Sequence, residues 1–264
     1  MPRYNLVLRL EYLGGHYAGS QIQKNGITIQ ELLDKALSRL FAGEKIKTIF
    51  SGRTDSGVHA LGQTVSAAVP KAVPAEKVKT ALNALLPSDI RINDAAYKPQ
   101  DFQPRYAAKA REYLYNIYYA PQPLLYLENC VWWLDSGSNK GLDIKAMRKA
   151  AGLCKGRQDF SAFCAAGSTV LNKVRRVTVS ELKVSKVPCW PGAQTAPGLL
   201  LTYRIKADGF LYHMVRNITA AIVAVGLKKM TLPDLRKILQ SKDRRMLKAP
   251  TAPAQGLVLL DVCY

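Results

Sequence analysis

The sequence has few cysteines and no long apolar run. The five cysteines are odd in number and include no C-x-x-C pair, so neither a disulfide framework nor a zinc site is expected. The longest apolar run, near Ile218 to Leu227, is about half of the roughly 20 residues that a membrane-spanning helix needs. The first residues also lack the apolar stretch of a signal peptide. We therefore expect a cytoplasmic protein with reduced thiols and no membrane segment.

The common catalytic motifs are missing as well. The sequence has no Walker A loop, no G-x-G-x-x-G loop and no H-E-x-x-H motif, and its three histidines are scattered. Glycoside hydrolysis ordinarily calls for two carboxylates a few ångströms apart, and the most suggestive loop, discussed below, offers only Asp55. A lone carboxylate acting as a nucleophile or as a base is the chemistry that remains.

Acidic residues are scarce relative to basic ones. The chain has 19 Asp and Glu against 38 Lys and Arg, a net charge of +19, and such an excess attracts polyanions at long range. Nucleic acid is the expected partner, and a solvated basic surface without a dedicated ligand is the alternative. The basic residues are spread along the chain, with short clusters at 173–176 and 242–245, which predicts a broad basic face.

Hydrophobic periodicity predicts a mixture of strands and helices. Strands are predicted over 5–12, 47–51, 63–69, 92–97, 111–119, 174–184, 199–207 and 256–264, and helices over 28–41, 75–86, 144–153, 213–225 and 232–239. The regular β-α-β-α rhythm of a parallel sheet is missing, which favours the α+β class. Pro99 and Pro104 mark a boundary, so two domains are predicted, 1–104 and 105–264.

One loop between two predicted strands carries an unusual set of residues. The stretch SGRTDSGVHALGQ, residues 51–63, contains Asp55 beside serine and glycine, a composition typical of turns. It is longer than the two to five residues that a hairpin connection needs, and long loops between ordered strands are often functional. Asp55 is therefore either a turn former or the lone catalytic carboxylate.

This stretch resembles the catalytic signature of the tRNA pseudouridine synthase A family, which is close to G-R-T-D-[AS]-G-V-H-A-x-G-Q. Further segments resemble the family in order and spacing: EYLGGHYAGSQIQ near the start, FQPRYAAKAREYLY (102–115), DFSAFC (159–164), DGFLYHMVRNI (208–218) and APAQGLVLLDVCY at the end. The resemblance covers nearly the whole chain, and its most specific segments are the signature at 51–63 and the segment at 208–218. The clear departure is Ser20, where the family usually has tryptophan, which puts local packing or an RNA contact in doubt.

The resemblance implies a fold and an activity. The fold would be α+β, with two pseudo-symmetric halves whose antiparallel sheets resemble RNA-recognition modules, form one continuous sheet flanked by helices and leave the active cleft between them. The enzyme would be an isomerase that converts uridine to pseudouridine in tRNA, at positions 38 to 40 of the anticodon stem-loop. It would need no metal and no organic cofactor, bind tRNA and form a homodimer.

The resemblance also implies roles for individual residues. Asp55 would be the essential aspartate, as nucleophile or as base, and Arg216 its partner. Tyr113 would stack on the target uracil and is a candidate for handling the proton lost at C5; a core tyrosine is the alternative. The target base must be flipped out to reach the aspartate, and Arg53 would fill its place or pair with a phosphate. Gln21 is carried over as an RNA-binding residue.

Two rival functions remain open. The first is a basic RNA-binding protein without catalysis, either a structural component or a relative that has lost its activity. The second is hydrolysis of the glycosidic bond with release of uracil. His59 and Gln63 lie within the signature, and orienting the loop is the role expected of them.

Overall fold

The computed structural model describes residues 3–138, 141–187 and 198–264. The chain divides into two compact units: a first unit of Met1–Lys109 with Val258–Tyr264, and a second unit of Ala110–Leu257. The domain boundary predicted after residue 104 stays a prediction. The division into compact units follows Lys109 and assigns the C-terminal residues to the first unit. No helix in the described ranges is long and apolar enough to cross a membrane.

The first unit is a mainly antiparallel sheet with helices. Its elements are β1 (Tyr4–Tyr12), α1 (Ile29–Leu40), β2 (Thr48–Phe50), β3 (His59–Val69), α2 (Ala75–Leu85), β4 (Ile90–Lys98), the short α3 (Pro104–Ala107) and, at the end of the chain, β10 (Leu257–Cys263). The strand order is β4-β1-β3-β10, with β2 also paired to β3. Strand β1 runs antiparallel to β3 and β4, whereas β10 runs parallel to β3.

Strand β1 forms because its apolar residues alternate. Leu6, Leu8, Leu10 and Tyr12 are all buried, as the period-2 pattern predicts. Helix α1 begins after Thr28, whose side-chain oxygen accepts a hydrogen bond from the Glu31 N–H at 3.3 Å and thus caps the first turn. These two elements enclose residues 13–28, which contribute to the candidate site.

The second unit has the same kind of architecture. Its elements are β5 (Ala110–Ala120), β6 (Trp132–Asp135), α4 (Ile144–Leu153), β7 (Gly156–Asp159), β8 (Val174–Lys186), β9 (Leu199–Ala207), α5 (Met214–Gly226) and α6 (Leu232–Ser241). The order β5-β9-β8-β7 is antiparallel throughout, and β6 adds to β5 in parallel. Tyr115 and Tyr203 are paired across β5 and β9 and are wholly buried. The predicted α+β class is confirmed.

The boundary of the signature loop differs from the sequence-based prediction. The stretch 51–63 was expected to lie between two strands, but β3 already begins at His59, so that only Ser51–Val58 is loop. The reason is a pairing with the end of the chain: His59 and Ala60 pair with Val258 and Leu259 of β10. This parallel partner extends β3 back toward Asp55.

Candidate active site

Asp55 lies in the loop between β2 and β3 and makes a turn with its backbone. Its carbonyl accepts a hydrogen bond from the Val58 N–H at 3.1 Å, and Gly57 takes a positive φ of 78°, which glycine adopts without steric cost. The Asp55 side chain is half-buried. The turn and the chemical role are therefore compatible, because the bond that closes the turn joins two backbone groups.

Thr54, the residue before Asp55, is buried and held by neighbouring polar groups. Its hydroxyl shares a 2.7 Å hydrogen bond with the hydroxyl of Tyr12, and its N–H donates to Ser20 Oγ at 2.8 Å. Its carbonyl accepts from the Ser20 N–H at 3.1 Å. Burial raises the pKa of Tyr12 to about 12, so its phenol stays neutral near pH 7 and can take part in this bond.

Gln63 fixes the start of the loop. Its side chain is wholly buried, accepts from the Ser51 hydroxyl at 2.7 Å and donates to the Gly52 carbonyl at 3.0 Å. A weaker contact at 3.4 Å runs from Gln63 Nε2 to the hydroxyl of Tyr12. The buried side-chain amide of Gln63 thus connects the start of the loop to Tyr12, which also bonds Thr54.

The residues that follow Asp55 are also held by hydrogen bonds. The Ser56 hydroxyl donates to the Tyr17 carbonyl at 3.0 Å. The Nδ1 atom of buried His59 accepts from the Gly14 N–H at 3.0 Å, so this ring nitrogen carries no proton. Bonds therefore restrain the loop before and after Asp55. Preorganisation of this kind is what a catalytic side chain requires.

Arg53 and Gln21 also lie in the first unit. Arg53 is exposed and directly precedes Thr54, whereas Gln21 is half-buried and directly follows Ser20. The Ser20–Thr54 bonds place the backbones of these two candidates close together. An exposed arginine in this position can reach an RNA phosphate or a base.

Tyr113 and Arg216 lie in the second unit. Tyr113 is 8% exposed on β5, and its ring packs edge-to-face on Phe210 at a centroid distance of 5.0 Å. Arg216 is half-buried in the first turn of α5, and its Nε donates to the Ala252 carbonyl at 2.7 Å. The bond fixes the orientation of the guanidinium.

Helix α5 is more deeply buried than its sequence pattern indicates. The apolar residues that repeat at helical spacing are buried (Met214, Ile218, Ala221, Ile222 and Val225), but nearly all other positions of the helix are buried as well. Arg216 is the one charged residue of this helix. Its stem packs among buried neighbours, and its Nε is held by the Ala252 carbonyl.

The sequence signature did not identify three residues that shape the site. Tyr12 lies outside the signature, Thr54 lies within it but has no expected role, and Ser20 is a departure from the family pattern. All three are buried polar residues that bond one another across long sequence separations. Burial of Tyr12 was predictable from the alternation in β1, but its bonding partner was not.

The described residues contain no group of three or more His, Cys, Asp or Glu side chains that could hold a metal ion. Cys130, Cys154, Cys164 and Cys263 are free thiols, and Cys189 lies outside the described residues. Burial raises the pKa of Cys154 to about 12, so that this thiol is unreactive near neutral pH.

Comparison with known proteins places the chain in a family. A family model described as tRNA pseudouridine synthase matches residues 10–107 and 150–264. The tRNA pseudouridine synthase A of Geobacillus kaustophilus is 37% identical over 97% of this chain and 92% of its own length. That of Syntrophomonas wolfei is 39% identical over 97% of this chain and 96% of its own length.

Among solved structures, the archaeal box H/ACA sRNP Nop10-Cbf5 complex overlaps 84% of this chain and 44% of that chain. The TM-score is 0.34 with 12% identity, too low for a conclusion about fold or function. The family match and the two bacterial relatives, by contrast, extend over most of the chain. The chain belongs to the tRNA pseudouridine synthase family.

Proposed function

We propose that this protein isomerises uridine to pseudouridine in the anticodon stem-loop of tRNA, at positions 38 to 40, with Asp55 as the essential carboxylate. The observation that carries the proposal is the loop Ser51–Val58. The residues before Asp55 are held by hydrogen bonds to Tyr12, Ser20 and Gln63, and Ser56, directly after it, donates to the Tyr17 carbonyl. These polar partners satisfy one another and hold the loop in one conformation, which a catalytic side chain requires.

The reaction breaks the bond from ribose C1′ to uracil N1, turns the base and joins C1′ to C5. C5 then loses its proton, for which Tyr113 is the candidate acceptor or relay, and N1 gains one, so that the product is an isomer of the substrate. No water or electron is consumed, so one carboxylate suffices. Asp55 acts on the sugar, either as a covalent nucleophile or as a base. Both roles use the carboxylate group.

The other candidates serve binding and orientation. Arg216 pairs with the aspartate, and the bond from its Nε to Ala252 orients the five-donor guanidinium. Tyr113 stacks on the flipped uracil, supported at its edge by Phe210, and Arg53 takes the place of the base in the stack. Stacking on an aromatic ring offsets part of the cost of flipping the base.

The excess of basic residues suits a tRNA substrate. The lysines and arginines that give the chain its net charge of +19 can contact RNA phosphates. Such contacts supply much of the affinity and position the RNA. A homodimer would let one tRNA contact two subunits, and a cytoplasmic location would give access to tRNA. Light scattering tests the dimer, which would have twice the 29.1 kDa of one chain.

The function is tested with unmodified tRNA transcripts that carry a single uridine at position 38, 39 or 40. Chemical mapping should detect pseudouridine at one or more of these positions. Tight binding without conversion would support the non-catalytic RNA-binding alternative. Free uracil in solution would support hydrolysis.

A further inference from the structure

Ser20 makes an unusual two-way contact with the loop that carries Asp55. Its side chain is wholly buried, and Oγ accepts from the Thr54 N–H at 2.8 Å. Its own N–H donates to the Thr54 carbonyl at 3.1 Å. One residue therefore holds both backbone polar groups of the residue that precedes Asp55.

The backbone around Ser20 is packed directly against the loop. Gly19 has a φ of +102°, and a Cβ atom there would come within 2.8 Å of the Thr54 carbonyl oxygen and 3.3 Å of the Asp55 carbonyl carbon. Only glycine permits this approach, since any side chain would push the loop away. The close packing at Gly19 sets the distance at which Ser20 meets Thr54.

The segment is in turn fixed to helix α1. The Ser20 carbonyl accepts from the Gln30 N–H at 3.0 Å, and the Gly19 carbonyl accepts from the Ile29 N–H at 3.3 Å. Both donors lie in the first turn of α1, whose N–H groups need acceptors from outside the helix. A continuous set of bonds thus runs from α1 through Ser20 to Thr54 and Asp55.

The chemistry of the hydroxyl explains why serine suits this position. A hydroxyl both donates and accepts, whereas an indole N–H only donates. An indole ring at this position could not accept a hydrogen bond from the Thr54 N–H. The bond from the Thr54 N–H to Ser20 Oγ therefore depends on the serine that this chain has at position 20.

We infer that Ser20 is a positioning residue for the reaction: its hydroxyl holds the Thr54 amide and thereby fixes the backbone from which the Asp55 carboxylate approaches the target ribose. This inference rests on the proposed function. The proposed action of Ser20 runs through its bonds to Thr54.

The test uses Ser20→Ala, with Ser38→Ala as the matched control. Ser38 Oγ also accepts a backbone N–H, that of Ile46 at 3.1 Å, but it lies on α1 outside the loop. Single-turnover pseudouridine formation with enzyme in excess gives the rate of the chemical steps, and a separate titration gives the Kd for tRNA. Thermal unfolding is measured for both variants.

We expect Ser20→Ala to lower the single-turnover rate by about 10-fold, because small misplacements of a reacting group are costly, with the Kd within about twofold of the wild type. Ser38→Ala should keep the wild-type rate even if its Tm falls as much as that of Ser20→Ala. Ser20→Thr retains the hydroxyl and should recover most of the rate. If Ser20→Thr does not fold, the two alanine variants decide.

Two results would overturn the inference alone. One is a Ser20→Ala enzyme with the wild-type rate, and the other is unchanged hydrogen-exchange protection of the Thr54 amide in that variant. The exchange measurement does not depend on activity. A wild-type protein that forms no pseudouridine would instead overturn the proposed function, whatever the exchange data show.

Discussion

Replacing Gln63 with leucine should weaken both the fold and the proposed reaction. The Gln63 side chain is fully buried and bonds the Ser51 hydroxyl at 2.7 Å, the Gly52 carbonyl at 3.0 Å and the Thr64 N–H at 3.2 Å. Leucine fills a similar volume but offers no polar atom. Gln63→Leu therefore removes these bonds without opening a large cavity.

The size of the effect follows from the partners. A buried polar group that loses its partner costs about 1–3 kcal/mol, and each further hydrogen bond contributes about 1 kcal/mol. We expect a loss of about 3 kcal/mol in the free energy of unfolding, which corresponds to a Tm decrease of roughly 6–12 °C for a chain of this size. The single-turnover rate should fall about 10-fold or more, because the loop loses its buried anchor.

Urea and thermal unfolding measure the stability, and a single-turnover assay measures the rate. Gln100→Leu is the control: Gln100 lies in the same unit and donates to the Arg3 carbonyl at 2.9 Å, but it is exposed. Its replacement should change stability by about 0.5 kcal/mol or less. Equal destabilisation by the two substitutions would refute the assignment of Gln63 as an anchor of the loop.

Three other predictions follow from the charged and phenolic groups. Burial raises the pKa of Tyr12 to about 12, so the contribution of Tyr12 to the free energy of unfolding should be complete below pH 10 and fall by up to about 3 kcal/mol between pH 10 and 12. In urea unfolding the loss of stability over this range should be smaller for Tyr12→Phe than for the wild type, and an equal loss would contradict the assignment. Arg157 and Arg176 are exposed and lie directly opposite each other on β7 and β8. Alanine at either position should lower the slope of log K for tRNA binding against log salt concentration by about 1. An unchanged slope would exclude a phosphate contact by that arginine. Arg216→Lys keeps the positive charge but loses the bond from Nε to the Ala252 carbonyl and the planar guanidinium group. Its single-turnover rate should fall about 100-fold while the Kd for tRNA stays unchanged. A rate within threefold of the wild type would contradict the role of Arg216 as partner of Asp55.

The regular elements were predictable where apolar residues repeat. The alternation of leucines in β1 and the helical spacing in α1 each require one buried face, and the structure confirms both. Strands β6 and β7 were not predicted because each is short and has no clear alternation. The early start of β3 at His59 depends on β10, at the other end of the chain, and local patterns carry no information about such pairings.

The same limit applies to the candidate site. The loop that contains Asp55 could be found from its letters, but its supports could not. The bond from Thr54 to Ser20 joins residues 34 positions apart, and that from Thr54 to Tyr12 joins residues 42 positions apart. Hydrogen bonds between such distant polar residues follow from the tertiary fold, and a single sequence does not show which pairs will meet.

The central claim is that this chain forms pseudouridine in tRNA and that Asp55 is required. The most direct measurement incubates wild type and Asp55→Ala with the same unmodified tRNA and maps pseudouridine chemically, after tRNA binding has been shown to be equal. We predict conversion by the wild type and none by the variant. No conversion by the wild type would contradict the proposed enzyme, and conversion by Asp55→Ala would contradict the role of the aspartate.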